Sequence, residues 1–190
     1  MSTSKLSFAF SMFAIAALPA GAALANQASV VNQAVTETEV VAAQKAWCGA
    51  LVDISQTNET QGQAAAKALA EKVIDSAYGY QMGAVLFKPT LTVAPQTFRT
   101  TRAGALAYFV GGDTAFPKDT GFALKGWTKC DIANAGIFIA GDSATTMGNV
   151  SITNKDGKVT TVDKTWKFVK DDAGKLRIVV HHSSLPFSGG

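Results

Sequence analysis

Apolar residues along this chain change their period as the sequence proceeds. Between Gln33 and Ile54 they fall at Val35, Val40, Val41, Ala46, Trp47, Leu51 and Ile54. Recurrence at three and four residues is the mark of an amphipathic helix, and Thr36 or Thr38 can cap its start. Asn58, Glu59, Thr60, Gln61 and Gly62 read as its break. A second helix follows from Gln63 to about Tyr78, with Ala66, Leu69, Val73, Ile74 and Ala77 on one side and Gly79 placed to end it. Met82 to Phe87 is a short apolar strand stopped by Lys88-Pro89-Thr90. Thr101 to Phe109 predicts a short helix capped by Thr100 or Thr101 and closed by Gly111-Gly112.

The last third alternates as strands do. Its candidates are Thr128–Ala133, Ile137–Ile139, Ala144–Thr153, Val159–Val169 and Lys175–Ser184. They are separated by Asn134-Ala135-Gly136, Gly141-Asp142, Asn154 to Gly157 and Asp171 to Gly174. Helices first and an antiparallel sheet afterwards predict an α+β fold, a curved sheet wrapped over helices packed on one face. No internal repeat or long low-complexity linker divides the chain, so one domain is expected over residues 26–190.

The first 25 residues are expected to lie outside that domain. Lys5 gives a positive start, Leu6 to Leu18 form an apolar run broken only by Ser7 and Ser11, and Ala23-Leu24-Ala25 has the small-x-small cleavage pattern. This predicts a signal peptide cut after Ala25, and hence an exported protein, periplasmic in a bacterium with two membranes. No later stretch approaches the roughly 20 apolar residues of a membrane-spanning helix. The formal charge of +3 comes with no basic run, which argues against a nucleic-acid surface. Cys48 and Cys130 are the two cysteines. An oxidising compartment permits a bridge between them, while the apolar neighbours of Cys48 suit two buried thiols equally well.

Candidate chemistry gathers at the end of the last strand, in His181-His182-Ser183-Ser184-Leu185-Pro186, which holds both histidines of the chain. Pro186 has no N–H for a ladder, so pairing should stop there. Adjacent histidines on a strand point to opposite faces and cannot readily grip one ion. With isolated cysteines and no third ligand beside them, a zinc site of protein ligands is not expected. No G-x-S-x-G elbow and no glycine-rich phosphate loop between a strand and a helix is present. Hydroxyl groups stand out instead: Thr90 at a strand end, Tyr108 on the short helix and the terminal serines. Strand alternation puts Leu176, Ile178 and Val180 on one face with His182 and Ser184, which favours that histidine and serine as the inward pair. Ser183 with His181 is the alternative, and one bulge would exchange the two sets.

In order, Phe87-Lys88-Pro89-Thr90, Thr101-Arg102-x-Gly104-Ala105-Leu106-x-Tyr108-Phe109, Gly121-Phe122-Ala123, Gly126-Trp127 and His181 to Pro186 resemble the iota-class carbonic anhydrases. These are similar in fold to the association domain of calmodulin-dependent kinase II and to the NTF2/SnoaL-like superfamily. The resemblance covers essentially all of the chain after the leader. It implies a cone-shaped α+β barrel, a homodimer, that interconverts CO₂ and bicarbonate. In metal-free members Thr, Tyr and Ser hydroxyls in an apolar-walled pocket hold water and bicarbonate, and by motif these fall on Thr90, Tyr108 and Ser183 or Ser184. A histidine stands two residues before the serine. Some members carry a third histidine before the pair, where this chain has Val180, which points away from a metal and to no cofactor. His182 is then the expected proton carrier, since histidine titrates near neutrality.

Two other readings compete. The same scaffold serves as a non-catalytic oligomerisation or small-ligand-binding domain, and fold does not decide function. A ketosteroid-isomerase-like enzyme would need a pocket carboxylate as base, for which Asp142 and Asp163 are the candidates.

Overall fold

The computed structural model describes Ser29 and residues 32–189, so the expected leader peptide lies outside the described residues. The first helix, α1 (Glu37–Gln61), starts at a reciprocal cap. Thr36 Oγ1 accepts from the Glu39 backbone N–H at 3.2 Å, and the Glu39 carboxylate accepts from the Thr36 N–H at 2.7 Å. It runs beyond Ile54 because Asn58 to Gln61 cost a helix only tenths of a kcal/mol each. The break comes at Gly62, whose φ of +83° a side chain rarely adopts. α2 (Gln63–Ala77) buries Ala66, Ala70 and Ile74.

Gly79 does not cap α2, which ends in the extended residue Tyr78. Gly79 allows a close approach instead. Its N–H donates to the Ile178 carbonyl at 2.9 Å, and a Cβ there would meet the Val179 side chain at 3.1 Å. The next elements are β1 (Leu86–Lys88), α3 (Arg102–Val110), β2 (Trp127–Ala140), β3 (Ser143–Asn154), β4 (Val159–Lys170) and β5 (Leu176–Ser184). A 3₁₀ turn at Phe122–Leu124, not foreseen from the sequence, links α3 to β2.

The five strands form one sheet in the order β1-β5-β4-β3-β2, antiparallel except for the parallel pair β1 and β5. The two short strands expected over 128–139 are one long strand. Asn134-Ala135-Gly136 is a register shift within it rather than a turn. The Asn134 amide exchanges hydrogen bonds of 2.8 and 2.9 Å with the buried Gln44 of α1, which holds the irregularity against the helix. Gly148 on β3 lies under it, where a Cβ would collide with the Ala133 carbonyl.

The helices cover the inner face of the sheet. Trp47, Leu51, Ile74 and Phe109 meet Val150, Ile152, Val162, Trp166, Phe168 and Ile178 in one core. Cys48 on α1 and Cys130 on β2 are joined in a disulfide, their Cα atoms 5.4 Å apart, which decides between bridge and thiols. Among the described residues no helix is long and apolar enough to cross a membrane.

Candidate active site

Strand β5 carries the decisive irregularity. Lys167 of β4 pairs with Val180, but Phe168 pairs with Ile178, so Val179 is an extra residue without a partner. This bulge shifts the alternation by one position. Ile178 still faces the core, and from there His181 and Ser183 face inward, each 1% exposed. His182 is exposed and Ser184 only half-buried. The expected inward pair, His182 and Ser184, is therefore replaced by His181 and Ser183, because plain alternation from Ile178 does not survive the bulge.

β1 runs beside this strand in parallel, Phe87 opposite His181 and Lys88 opposite His182. The chain leaves β1 through the buried Pro89, which sets Thr90 over the end of β5. Thr90 Oγ1 and Ser183 Oγ are 2.6 Å apart, and Lys88 Nζ donates to the Ser183 carbonyl at 3.0 Å. The third expected hydroxyl arrives on α3, whose start Thr101 caps by accepting from the Gly104 N–H. Tyr108 stacks on Phe122 at 5.4 Å and meets Phe87 edge-on at 5.7 Å. Its hydroxyl is buried without a hydrogen-bond partner. Burial pushes that hydroxyl well above its ordinary pKa, opposed by the nearby Leu91 backbone and Thr90 groups.

One charged side chain enters the same space. β4 points Val162, Lys164, Trp166 and Phe168 inward by strict alternation, so a lysine sits in an apolar row. Lys164 is 5% exposed. Its Nζ lies 2.8 Å from His181 Nε2 and 4.6 Å from the centre of the Trp47 ring. Burial lowers its pKa from 10.5 to about 7. The sequence reading passed over it, although the inward period of β4 marks its position.

His181 is held at both ring nitrogens. Nδ1 lies 2.9 Å from the Tyr78 hydroxyl, which accepts from Trp47 Nε1–H at 2.9 Å. The ring stacks on Phe87 with centroids 4.4 Å apart. Burial, then the Lys164 and His182 charges, hold its pKa well below the usual 6.5, so His181 is neutral at physiological pH. His182, outside, is lowered mainly by desolvation, with Lys88 and Lys164 adding and Asp163 opposing.

Thr90, Tyr108, Lys164, His181 and Ser183 thus close on one small cavity walled by Trp47, Phe87, Phe109 and Phe122. Its free volume is about 10 Å³, roughly the room of one water molecule. A larger cleft of about 540 Å³ lies elsewhere, beside the Cys48–Cys130 bridge, and holds none of these groups. No Asp or Glu lines the small cavity, and Asp163 points outward to the Asn149 amide. Asp142 lies at the exposed hairpin end between β2 and β3. Neither carboxylate is placed to act as an isomerase base. Among the described residues no three His, Cys, Asp or Glu side chains gather as a metal ion requires.

Residues 38–185 match the family model described as metal-independent carbonic anhydrase. The chain belongs to this family. A curated relative, the metal-independent carbonic anhydrase of Nostoc sp. (strain PCC 7120 / SAG 25.82 / UTEX 2576), is 63% identical, with 93% of this chain and 94% of that protein covered. The crystal structure of a cyanobacterial iota-carbonic anhydrase complexed with bicarbonate superposes with a TM-score of 0.84 at 69% identity, covering 86% of this chain and 99% of that one. A calcium/calmodulin-dependent protein kinase II association domain from Xanthomonas campestris follows at a TM-score of 0.52 and 24% identity, covering 85% and 100% of the two chains. That likeness shows the shared α+β fold alone. The family and the fold that the motifs implied are both borne out.

Proposed function

We propose that this chain catalyses the reversible hydration of CO₂ to bicarbonate and a proton, without a metal, in the cavity between α3, β1, β4 and β5. One observation carries the reading: the Thr90–Ser183 hydroxyl pair at 2.6 Å and the unpartnered Tyr108 hydroxyl converge on a single apolar-walled space. A buried donor with nothing to bind costs about 1–3 kcal/mol, and a bicarbonate oxygen would recover that. The aromatic wall suits an apolar gas. The three hydroxyls orient the attacking water and stabilise the negative charge that develops on the oxygens as the new C–O bond forms. Thr90 is the least buried of them, so admission of CO₂ requires its segment to yield.

His181, not His182, stands beside the reacting space, and with both nitrogens engaged it positions its neighbours rather than titrating. Stopped-flow CO₂ hydration by the chelated protein, with metal content measured in parallel, tests the reading. Activity that persists without metal supports it. Activity restored only by an added ion overturns its metal-free part, and no activity in either state favours a ligand-binding domain.

The same reading includes export and pairing. Lys5, the apolar run to Leu18 and Ala23-Leu24-Ala25 support a cleaved leader and a periplasmic protein. The intact mass of the protein recovered from each cell fraction tests this. Phe138 on β2 and Met147 on β3, 72% and 61% exposed, support a homodimer formed through this side of the sheet. Sedimentation of wild type and Phe138→Asp tests that.

A further inference from the structure

Hydration of CO₂ releases a proton, and the cavity must offer it somewhere to go. The hydroxyls of Thr90 and Ser183 are too weakly basic, and burial makes the Tyr108 phenolate still less accessible. His181 has Tyr78 on one nitrogen and Lys164 on the other. No carboxylate lines the space.

We infer that the amine of Lys164 is the proton acceptor for the attacking water and that its ammonium form then holds the bicarbonate product. This rests on the reading of the cavity given above. In the forward step the water oxygen bonds to the CO₂ carbon, and one C=O π pair moves onto oxygen. Nζ turns its lone pair from the His181 Nε2–H to the water and takes the water proton, leaving bicarbonate beside R–NH₃⁺. As bicarbonate departs, the ammonium gives its proton to a buffer base or to water. Dehydration runs the same steps backward, the ammonium returning a proton to the bicarbonate hydroxyl.

The hydrogen-bond accounting supports a neutral amine at rest. Trp47 Nε1–H can only donate, and it donates to the Tyr78 oxygen. The Tyr78 proton then has His181 Nδ1 within reach, which leaves the imidazole proton on Nε2 and aimed at Lys164. An amine can accept that proton in a hydrogen bond; an ammonium cannot. With Lys164 protonated the chain reverses, Nε2 accepting and Nδ1–H donating to Tyr78, and the Tyr78 proton loses its place. Lys164 has no carboxylate partner among the salt bridges of the described residues. The titratable groups around it are His181 and His182 from β5, Lys88 from β1, Tyr108 from α3, Tyr78 after α2, and Asp163 on its own strand. From α1 it meets the uncharged Trp47 ring. Burial among these groups lowers its pKa to about 7, the range in which a base works best at neutral pH.

The test is the pH profile of kcat/KM for CO₂ hydration by wild type, Lys164→Met, Lys164→Arg and His182→Asn. In wild type, activity rises with pH through about 7, because only the neutral amine accepts a proton. Lys164→Met is expected to fall by at least about a hundredfold and to lose that rise. Lys164→Arg does the same, since a guanidinium keeps its proton. His182→Asn retains the rise, which separates Lys164 from the outer histidine. A Lys164→Met protein that keeps the rise, or His182→Asn that loses it, overturns the inference while leaving the site intact. An inactive wild type overturns the site and the inference together. If the Lys164 variants fail to fold, carbon-13 NMR of lysine-labelled wild type decides. One lysine titrating near 7 is expected, and all of them titrating near 10 overturns the inference.

Discussion

Phe87 and His181 lie face to face, their ring centroids 4.4 Å apart and their planes 17° apart, as directly paired residues of the parallel strands β1 and β5. The Phe87 backbone carbonyl also accepts from the Arg99 N–H at 2.8 Å. Arg99 is itself buried against the Asp119 carboxylate, 2.8 Å away. Phe87 therefore stacks its ring on the neutral histidine while its backbone carbonyl holds Arg99, in the segment that follows Thr90.

Phe87→Ala removes that ring from a site 1% exposed. A large-to-small change in a packed core costs about 3–5 kcal/mol, and here it also frees the His181 ring. Urea denaturation should show the loss. Phe87→Leu, which keeps most of the volume, should recover stability far better than activity, because a leucine cannot stack. Equal recovery of both would mean that the stack has no part in positioning His181.

Tyr108→Phe separates function from stability in the other direction. The hydroxyl it removes is buried and unpartnered, so its loss should leave stability unchanged or raise it by up to ~1 kcal/mol. Activity should fall by about a hundredfold, as for other single donors to a developing oxyanion. Thermal melting beside stopped-flow assays checks both. Unchanged turnover would remove Tyr108 from the mechanism.

These residues also show what one chain reveals of itself. Thr90, Tyr108 and the terminal histidine–serine motif are legible because they fall within the motifs that resemble the iota class, at the end of β1, on α3 and at the end of β5. Which member of His181/His182 faces inward was not legible, since the choice depends on Val179 bulging against β4, a long-range pairing that alternation does not encode. The Asn134-Ala135-Gly136 segment reads locally as a turn, and only the Gln44 side chain arriving from α1 keeps it within β2. Lys164 was legible in principle, as a charge in the inward row of β4. It reads as an ordinary surface lysine until Val162, Trp166 and Phe168 are seen to share its face.

The Cys48–Cys130 bridge closes a loop across 82 positions and adjoins Trp47, the donor at the far end of the Tyr78–His181–Lys164 chain. Loop-closure arguments give a bridge over that span a stabilisation of roughly 4 kcal/mol. Reduction, or Cys48→Ala with Cys130→Ala, should lower the melting temperature clearly and loosen α1 against β2. The double alanine variant should respond to reductant no further. A melting temperature insensitive to reduction would show that the helix is held by packing alone.

Stability should depend on pH through Lys164 in a definite sense. Its folded pKa of about 7 lies below its ordinary 10.5, so between those values the unfolded chain binds more protons than the folded one. Stability then rises with pH across this window, by up to about 1.4 kcal/mol per pH unit. Below 7 both states carry the lysine proton and the slope from this residue vanishes. Further down, the depressed pKa of His181 removes more stability as pH falls through 6.5 and below. Above 10 the sign turns, because the buried Tyr78, Tyr80 and Tyr108 keep protons that the unfolded chain gives up. Denaturation from about pH 7 to 9.5 therefore isolates the lysine. Wild type should gain stability over that range, and Lys164→Met should be nearly flat while being the more stable of the two at pH 7, where its methyl thioether replaces a charge lodged against Trp47 and Trp166. Parallel slopes in the two proteins would mean that Lys164 titrates as a solvated lysine and that its burial carries no electrostatic cost.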